Sequence, residues 1–235
     1  MGQAQLKPNR DCDDIIQERM TMLKHLVFND QFIHTNVQFN VLSTTPIPNK
    51  LRLLSSHKGI YIAGGALVRL VLGHYDPNVH DIDLFVVGHS EKVREQRLRK
   101  FIKAHDGQVT RNSRSHVNIV QEDGTKLQLI MTRFDTIQQV LRDFDFSICR
   151  LWINKSHQLQ ALPSAAFSLQ FGLNYVSSQT IISKQRIQKY EELFSLTTHI
   201  DPDCHVVDYQ YNPTPTSIPL DEPFETIDQG HVTFF

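Results

Sequence analysis

The chain has 235 residues and is 40% hydrophobic, enough for one substantial core or a core with a smaller appendage. Its net charge of −1 hides a division. All 24 Lys and Arg precede residue 199, against 18 acids there, whereas Asp201, Asp203, Asp208, Asp221, Glu222, Glu225 and Asp228 follow, so the body is +6 and the tail −7. A body of that sign suits a polyanionic partner. No run approaches the ~20 apolar residues of a membrane span, and Met1 to Arg10 has no apolar leader core, which excludes membrane and secretory roles from this reading. Leu6 stands where a myristoylation signal needs Ser or Thr. The widely spaced Cys12, Cys149 and Cys204 are read as free thiols in a reducing, cytoplasmic compartment, with no zinc spacing.

In chain order, Ile15, Ile16, Met20, Leu23 and Val27 fall near helical spacing and predict a helix over Asp13 to Asn29. Asp30 to Pro48 mixes strand and loop character, and Lys50 to His57 is read as a basic helix leading into the first strand. Residues 1–57 thus form an N-terminal extension without a chemical motif. From Gly59 the character changes. Tyr61 and Ile62 make an apolar strand that ends in Gly64 and Gly65, where missing side chains permit a tight turn and the approach of a phosphate to backbone N–H groups. A helix starting near Ala66 adds its N-terminal dipole to the same place.

A Pro-Asn turn at Pro77 and Asn78 precedes Asp81-Ile82-Asp83-Leu84-Phe85-Val86-Val87, a strand on which Asp81 and Asp83 share a face. Two adjacent carboxylates in an apolar strand repel each other and resist desolvation. A divalent cation offsets both effects, since Mg²⁺ is held by one or two carboxylates together with phosphates and water. The plain alternative is an exposed strand end near Arg or Lys, but the strand, Gly-Gly turn and helix upstream favour the metal. His80, beside Asp81, either contacts a phosphate or completes the turn. The rest of the chain's 12 histidines are not read as a metal site.

Over about residues 58 to 150 the chain resembles the DNA polymerase beta-like nucleotidyltransferase superfamily, through Gly64 and Gly65 at the phosphate turn and Asp81 and Asp83 on the next strand. The resemblance implies an α+β fold with a mixed β-sheet flanked by helices. It also implies Mg²⁺ or Mn²⁺ at Asp81 and Asp83, one ion carried in with an NTP and one activating the acceptor, and transfer of a nucleoside monophosphate to a hydroxyl or phosphate. That superfamily usually has Gly-Ser, whereas Ala66 follows Gly-Gly here. Gly64, Gly65, Arg69 and Gln128 make up the expected nucleotide-binding set. The third carboxylate of the superfamily falls, on the strand Lys126 to Met131, at Gln128, which can neither add charge nor take a proton. Asp145, in Phe144-Asp145-Phe146-Ser147-Ile148-Cys149, is the candidate for the missing acid, the alternative being a helix cap or a partner for Arg150 or Arg142. The pairing of the Leu-Gln strand with Phe-Asp-Phe, and Arg186-Ile187 with Lys189-Tyr190, looks more loosely like nucleotidyltransferase-like proteins of phages and large viruses.

Glu91 to His105 is predicted as a helix carrying Lys92, Arg94, Arg97, Arg99, Lys100 and Lys103, read either as a nucleic-acid groove wall or as a solvated face. Phe101 alone interleaves, which argues against a base-stacking platform. Thr136 to Arg142 is amphipathic, Asp145 to Ser164 reads as two strands around a turn at Lys155 and Ser156, and Ser183 to Phe194 reads as an amphipathic helix bearing Lys184, Arg186 and Lys189. Trp152 and Phe146 are read as core, and the Asn154-Lys155-Ser156 triplet as unused in a cytosolic chain. Residues 58–198 form the nucleotidyltransferase-like domain. Residues 199–235, rich in Pro and without Lys or Arg, are predicted to be an extended acidic tail that straps the body, inhibits it, or holds a protein partner through Phe234 and Phe235. The functional expectation is a metal-dependent nucleotidyltransferase acting on an RNA end, a protein or a nucleotide. The alternative is an inactive descendant that binds nucleotide or RNA or serves viral assembly.

Overall fold

The computed structural model describes residues 12–29, 44–76, 81–111, 113, 115–177 and 181–208. Its centre is a five-stranded sheet of order β1-β2-β5-β4-β3, formed by β1 (Ile60–Ile62), β2 (Ile82–Val86), β3 (Gln108–Arg111), β4 (His116–Val120) and β5 (Lys126–Met131). Only the β2/β5 pair is parallel. Alternation along these strands gives the sheet two different faces. Ile60, Ile62, Ile82, Leu84, Val86, Val117, Ile119, Leu127, Leu129 and Met131 point into the main core, where Leu98 and Phe101 of α4 (Glu91–Ala104) join them. Tyr61, Asp83, Phe85, Gln128 and Ile130 share the other face.

That second face is apolar at one end and polar at the other. Phe85 and Ile130 pack there against Ile137, Val140 and Leu141 of α5 (Ile137–Arg142) and against Trp152. A capping box starts α5: Thr136 Oγ1 accepts from the Gln139 N–H while the Gln139 side chain accepts from the Thr136 N–H. The hairpin β6 (Leu151–Ile153) and β7 (Leu159–Ala161) extends this surface, since the Ala63 to Trp152 bridge attaches β6 beside β1.

Around the sheet lie α2 (Asn49–Ser55), α3 (Gly65–Val71), α6 (Pro163–Phe171) and α7 (Lys184–Phe194). The sequence predicts strand up to Ser164 and names no element from there to Ser183, yet α6 forms with Pro163 in its first turn and Gly172 in the left-handed conformation at its end. Those two residues are a start and stop signal that hydrophobic spacing overlooks, because a buried helix has no polar face. Met20, Leu23 and Val27 of α1 (Cys12–Asn29) pack on Leu173 and Tyr175 of β8 (Leu173–Val176) and on Phe167 and Phe171 of α6. Past residue 198, where little strand is predicted, β10 (Thr197–Ile200) pairs in parallel with β8, and β11 (His205–Val207) with β9 (Ile181–Ser183). The expectations for His80, the Pro77-Asn78 turn, most of residues 30–48 and the tail beyond Asp208 lie outside the described residues.

Candidate active site

The turn after β1 brings Gly64 to φ 84° and ψ −147°, a combination open essentially only to glycine. A Cβ on Gly64 would stand 3.4 Å from the Phe144 ring and 3.9 Å from Asp83 Oδ2, so this turn and the Asp83 carboxylate are neighbours. The Gly64 N–H donates to the Leu151 carbonyl at 3.3 Å and the Ala63 N–H to the Asp83 carbonyl at 3.4 Å. Among the described residues the N–H groups of Gly65 and Ala66, the first residues of α3, have no backbone hydrogen-bond partner. Gly65 answers a second demand. A Cβ there would approach Tyr190 Oη of α7 to 3.0 Å.

Asp83 sits directly opposite Gln128 in the parallel β2/β5 register, and Gln128 opposite Asn118 in the β5/β4 register. These three half-buried polar residues thus form a row across one sheet face. Asp81, exposed, precedes β2 on the same side. Neither aspartate carboxylate has a hydrogen bond or ion pair with any described residue. Burial first, and then the charge of Asp81, raise the Asp83 carboxyl to about 7, while Arg186 and Lys189 of α7 oppose that rise. Among the described residues no three His, Cys, Asp or Glu side chains converge as a metal cluster. The cation donors available are the two aspartates with the neutral Gln128 beside them.

Asp145 is not free. Arg186 Nε donates to its Oδ2 at 2.7 Å and Nη2 to its Oδ1 at 3.4 Å, a forked pair lying over the Phe146 and Tyr190 rings. Its partner is neither Arg150, which donates to the carbonyls of Val27, Arg142 and Phe144, nor Arg142. Through Arg186 the pair is linked electrostatically to Asp83. Beneath it the buried Cys149 thiol donates to Tyr190 Oη at 3.4 Å and is pushed up to about 12, chiefly by burial, which leaves it unsuited to nucleophilic or ligand chemistry.

Arg69 lies farther out, its guanidinium 5.5 Å from the Phe194 ring, in a groove of about 580 Å³ shared with Gln185, Gln188 and Lys189. Lys189 belongs both to that groove and to the field at Asp83. The basic helix α4 covers the opposite face of the sheet, because Leu98 and Phe101 are part of the main core. Its Arg94 and Arg97 donate to the Gly88 and Val87 carbonyls, and Arg99 pairs with Glu95 at 3.2 Å. α4 therefore lies across the sheet from Asp83, so a groove wall built on it would not adjoin Asp83.

Solved CCA-adding enzymes share this arrangement of strands and helices. The Thermotoga maritima CCA-adding enzyme complexed with tRNA matches with a TM-score of 0.51 and 20% identity, over 68% of this chain and 41% of that one. A CCA-adding enzyme in its apo form gives 0.52 and 20%, over 70% and 43%, and a complex of the enzyme with ATP gives 0.51 and 20%, over the same shares. The chain thus spans about two fifths of the length of those enzymes. At that identity the likeness shows the fold: a mixed α+β nucleotidyltransferase fold of the CCA-adding enzyme type. No curated protein matches in sequence. Residues 27–170, more than half of the chain, match the Gad2 family, described as Gabija anti-defense 2, and the chain belongs to that family.

Proposed function

We propose that this chain transfers a nucleoside monophosphate from an NTP to an acceptor, using Mg²⁺ or Mn²⁺ bound by Asp81 and Asp83. The observation that carries the reading is Asp83: a half-buried carboxylate beside the Gly64 turn, raised to about 7 and without a hydrogen bond or ion pair among the described residues. A bare carboxylate pair with an adjacent amide fits a hard divalent cation that completes its shell with phosphate and water. When bound, the metal supplies neutralisation of phosphate charge and activation of the acceptor hydroxyl. The residues of the chain do the rest. The Gly65 and Ala66 N–H groups and Lys189 face the anion, Arg69 extends the cationic wall, and Asp145 fixes Arg186 in the direction of Asp83.

The CCA-adding neighbours in complex with tRNA, CTP and ATP support an RNA end as acceptor and an NTP as donor. The anti-defense description of the family gives the reaction its setting, so acceptors are sought in extracts containing the opposed defence as well as in pooled RNA. A second reading, an inactive protein that binds nucleotide or RNA, is favoured by one residue: Gln128 occupies the register position beside Asp83 where an acid would serve the acceptor.

The test incubates the purified chain with each α-labelled NTP, Mg²⁺ or Mn²⁺, and RNA and protein extracts, alongside the Asp81→Ala, Asp83→Ala double variant. Label transferred by the wild type and lost in the variant supports the first reading and identifies the acceptor. Nucleotide or RNA binding without transfer from any NTP sinks it in favour of the second.

A further inference from the structure

The polar row that contains Asp83 does not stop at β1. The Asp83 carbonyl accepts from the Ala63 N–H, Ala63 bridges to Trp152, and Trp152 stands opposite Gln160 in the β6/β7 hairpin. Cross-strand partners share a face, so Gln160, Trp152, Ala63 and Asp83 line one side of a continuous β surface. Two strand spacings separate Trp152 from Asp83, on the order of 10 Å.

At the Trp152 end of the row is a second cavity of about 380 Å³, lined by Tyr61, Trp152 and Gln160, with Asp135 and Lys155 at its rim. Gln160 is 5% exposed, and its side chain lines the cavity beside Trp152. The amide atoms are not sealed from solvent but open onto the cavity, where they are available to a ligand. Here the amide lines a cavity with two aromatic walls, the half-buried Tyr61 and the buried Trp152. Lys155, exposed at the rim, has no ion pair among the described residues. We infer that Tyr61, Trp152 and Gln160 form a nucleobase-binding pocket.

The chemistry of the three side chains selects that class. The half-buried Tyr61 offers a face that can stack on a base, typically for ~1–3 kcal/mol, while Trp152, 3% exposed and packed with Phe85 and Ile137, closes the floor of the pocket. A glutamine amide offers a donor and an acceptor side by side, the pattern that pairs with the N6 and N7 edge of adenine, and Lys155 offers a charge for the phosphate of the same nucleotide. Adenine, the base whose edge a glutamine amide commonly reads, is the first ligand to test. The pocket does not depend on the transfer reading, because base binding here needs neither metal nor the aspartates.

Trp152 is the sole tryptophan of the chain, so its fluorescence reports on this pocket directly. The full chain in EDTA is titrated with 5′-AMP, GMP, CMP and UMP and, separately, with a short oligoadenylate. Saturable quenching is expected, tightest for the adenine ligands. The mononucleotide arm identifies a free nucleotide as the source of the base, and quenching by the oligomer alone identifies a nucleic-acid strand. Gln160→Leu should weaken binding at least tenfold at an unchanged melting temperature, and Gln160→Glu, which keeps the shape but removes the NH₂ donor, should change the order of preference among bases. No quenching by any ligand, or equal affinity in both Gln160 variants and the wild type, overturns the proposal. Loss of label transfer in the preceding experiment leaves this titration untouched, so the two readings fail separately.

Discussion

Asp83 on β2 and Gln128 on β5 are direct partners in a parallel register and stand on the same sheet face. A carboxylate in place of that amide would meet both aspartates, and without metal the added repulsion disfavours folding. Gln128→Glu is therefore expected to lower the melting temperature in EDTA and to recover it in Mn²⁺ by mass action. Label transfer by this variant should exceed that of the wild type by about tenfold or more, since an acid at this position can serve the acceptor. A variant as stable in EDTA as in Mn²⁺ would refute this placement of the metal.

Removal of Asp83 itself gives the opposite sign. Its carboxyl is raised to about 7, chiefly by burial, so the ionised form is unfavourable in the fold without a cation. Asp83→Asn should stabilise the chain toward urea in EDTA above pH 7 and abolish the stabilisation by Mn²⁺. The stability gain should shrink as pH falls toward 4, where the wild-type carboxyl is protonated in the fold. Equal urea midpoints for wild type and variant at pH 8 in EDTA would contradict this account.

Gly64 is held at a positive φ that an L residue adopts only under strain. Gly64→Ala is expected to cost about 1–3 kcal/mol and to push a methyl group toward Phe144 and Asp83. Gly65 lies in a helix at ordinary φ, so Gly65→Ala should cost less, limited to the small displacement of Tyr190 Oη. Urea denaturation of the two variants checks the order.

Much of the site was legible because its signals are local. The Gly64-Gly65 turn and the Asp81 and Asp83 spacing follow from short-range turn and strand chemistry, the place of Gln128 was implied by the superfamily resemblance, and the helix over Lys184–Phe194 follows from periodicity. What the sequence hid was relation at a distance. Nothing local sends α4 to the far face of the sheet, or brings Arg186 to Asp145 across 41 residues. Gln160 was equally silent, since one amide in a short strand acquires meaning only when a bridge sets Trp152 beside Ala63.

The Asp145 and Arg186 pair should behave as a unit. Arg186→Met leaves a largely buried carboxylate without its partner and is expected to cost about 1–3 kcal/mol. Asp145→Asn together with Arg186→Met should cost less than the sum of the single changes. Additive costs in urea denaturation would mean that the pair contributes no coupling.

Tyr175 and Asp201 tie the end of the described chain to its beginning. The fully buried Tyr175 Oη donates to Asp201 Oδ2, the Asp203 N–H donates to Oδ1 at 3.2 Å, and Lys24 of α1 reaches Oδ2 at 3.4 Å. The Tyr175 hydrogen bond is the largest of the effects that hold the Asp201 carboxyl below its ordinary value of 3.8. A depressed carboxyl contributes stability that is fully present above its unfolded pKa and disappears as pH falls through the folded one. Tyr175→Phe should therefore destabilise the chain by about 1–3 kcal/mol at pH 7, with the penalty narrowing below pH 4 as Asp201 is protonated in both proteins. Lys24→Met should cost less than ~1 kcal/mol, because the lysine is substantially exposed. Urea midpoints at pH 7 and pH 3 separate the outcomes: a Tyr175→Phe penalty equal at both values would assign the loss to packing rather than to the charged hydrogen bond.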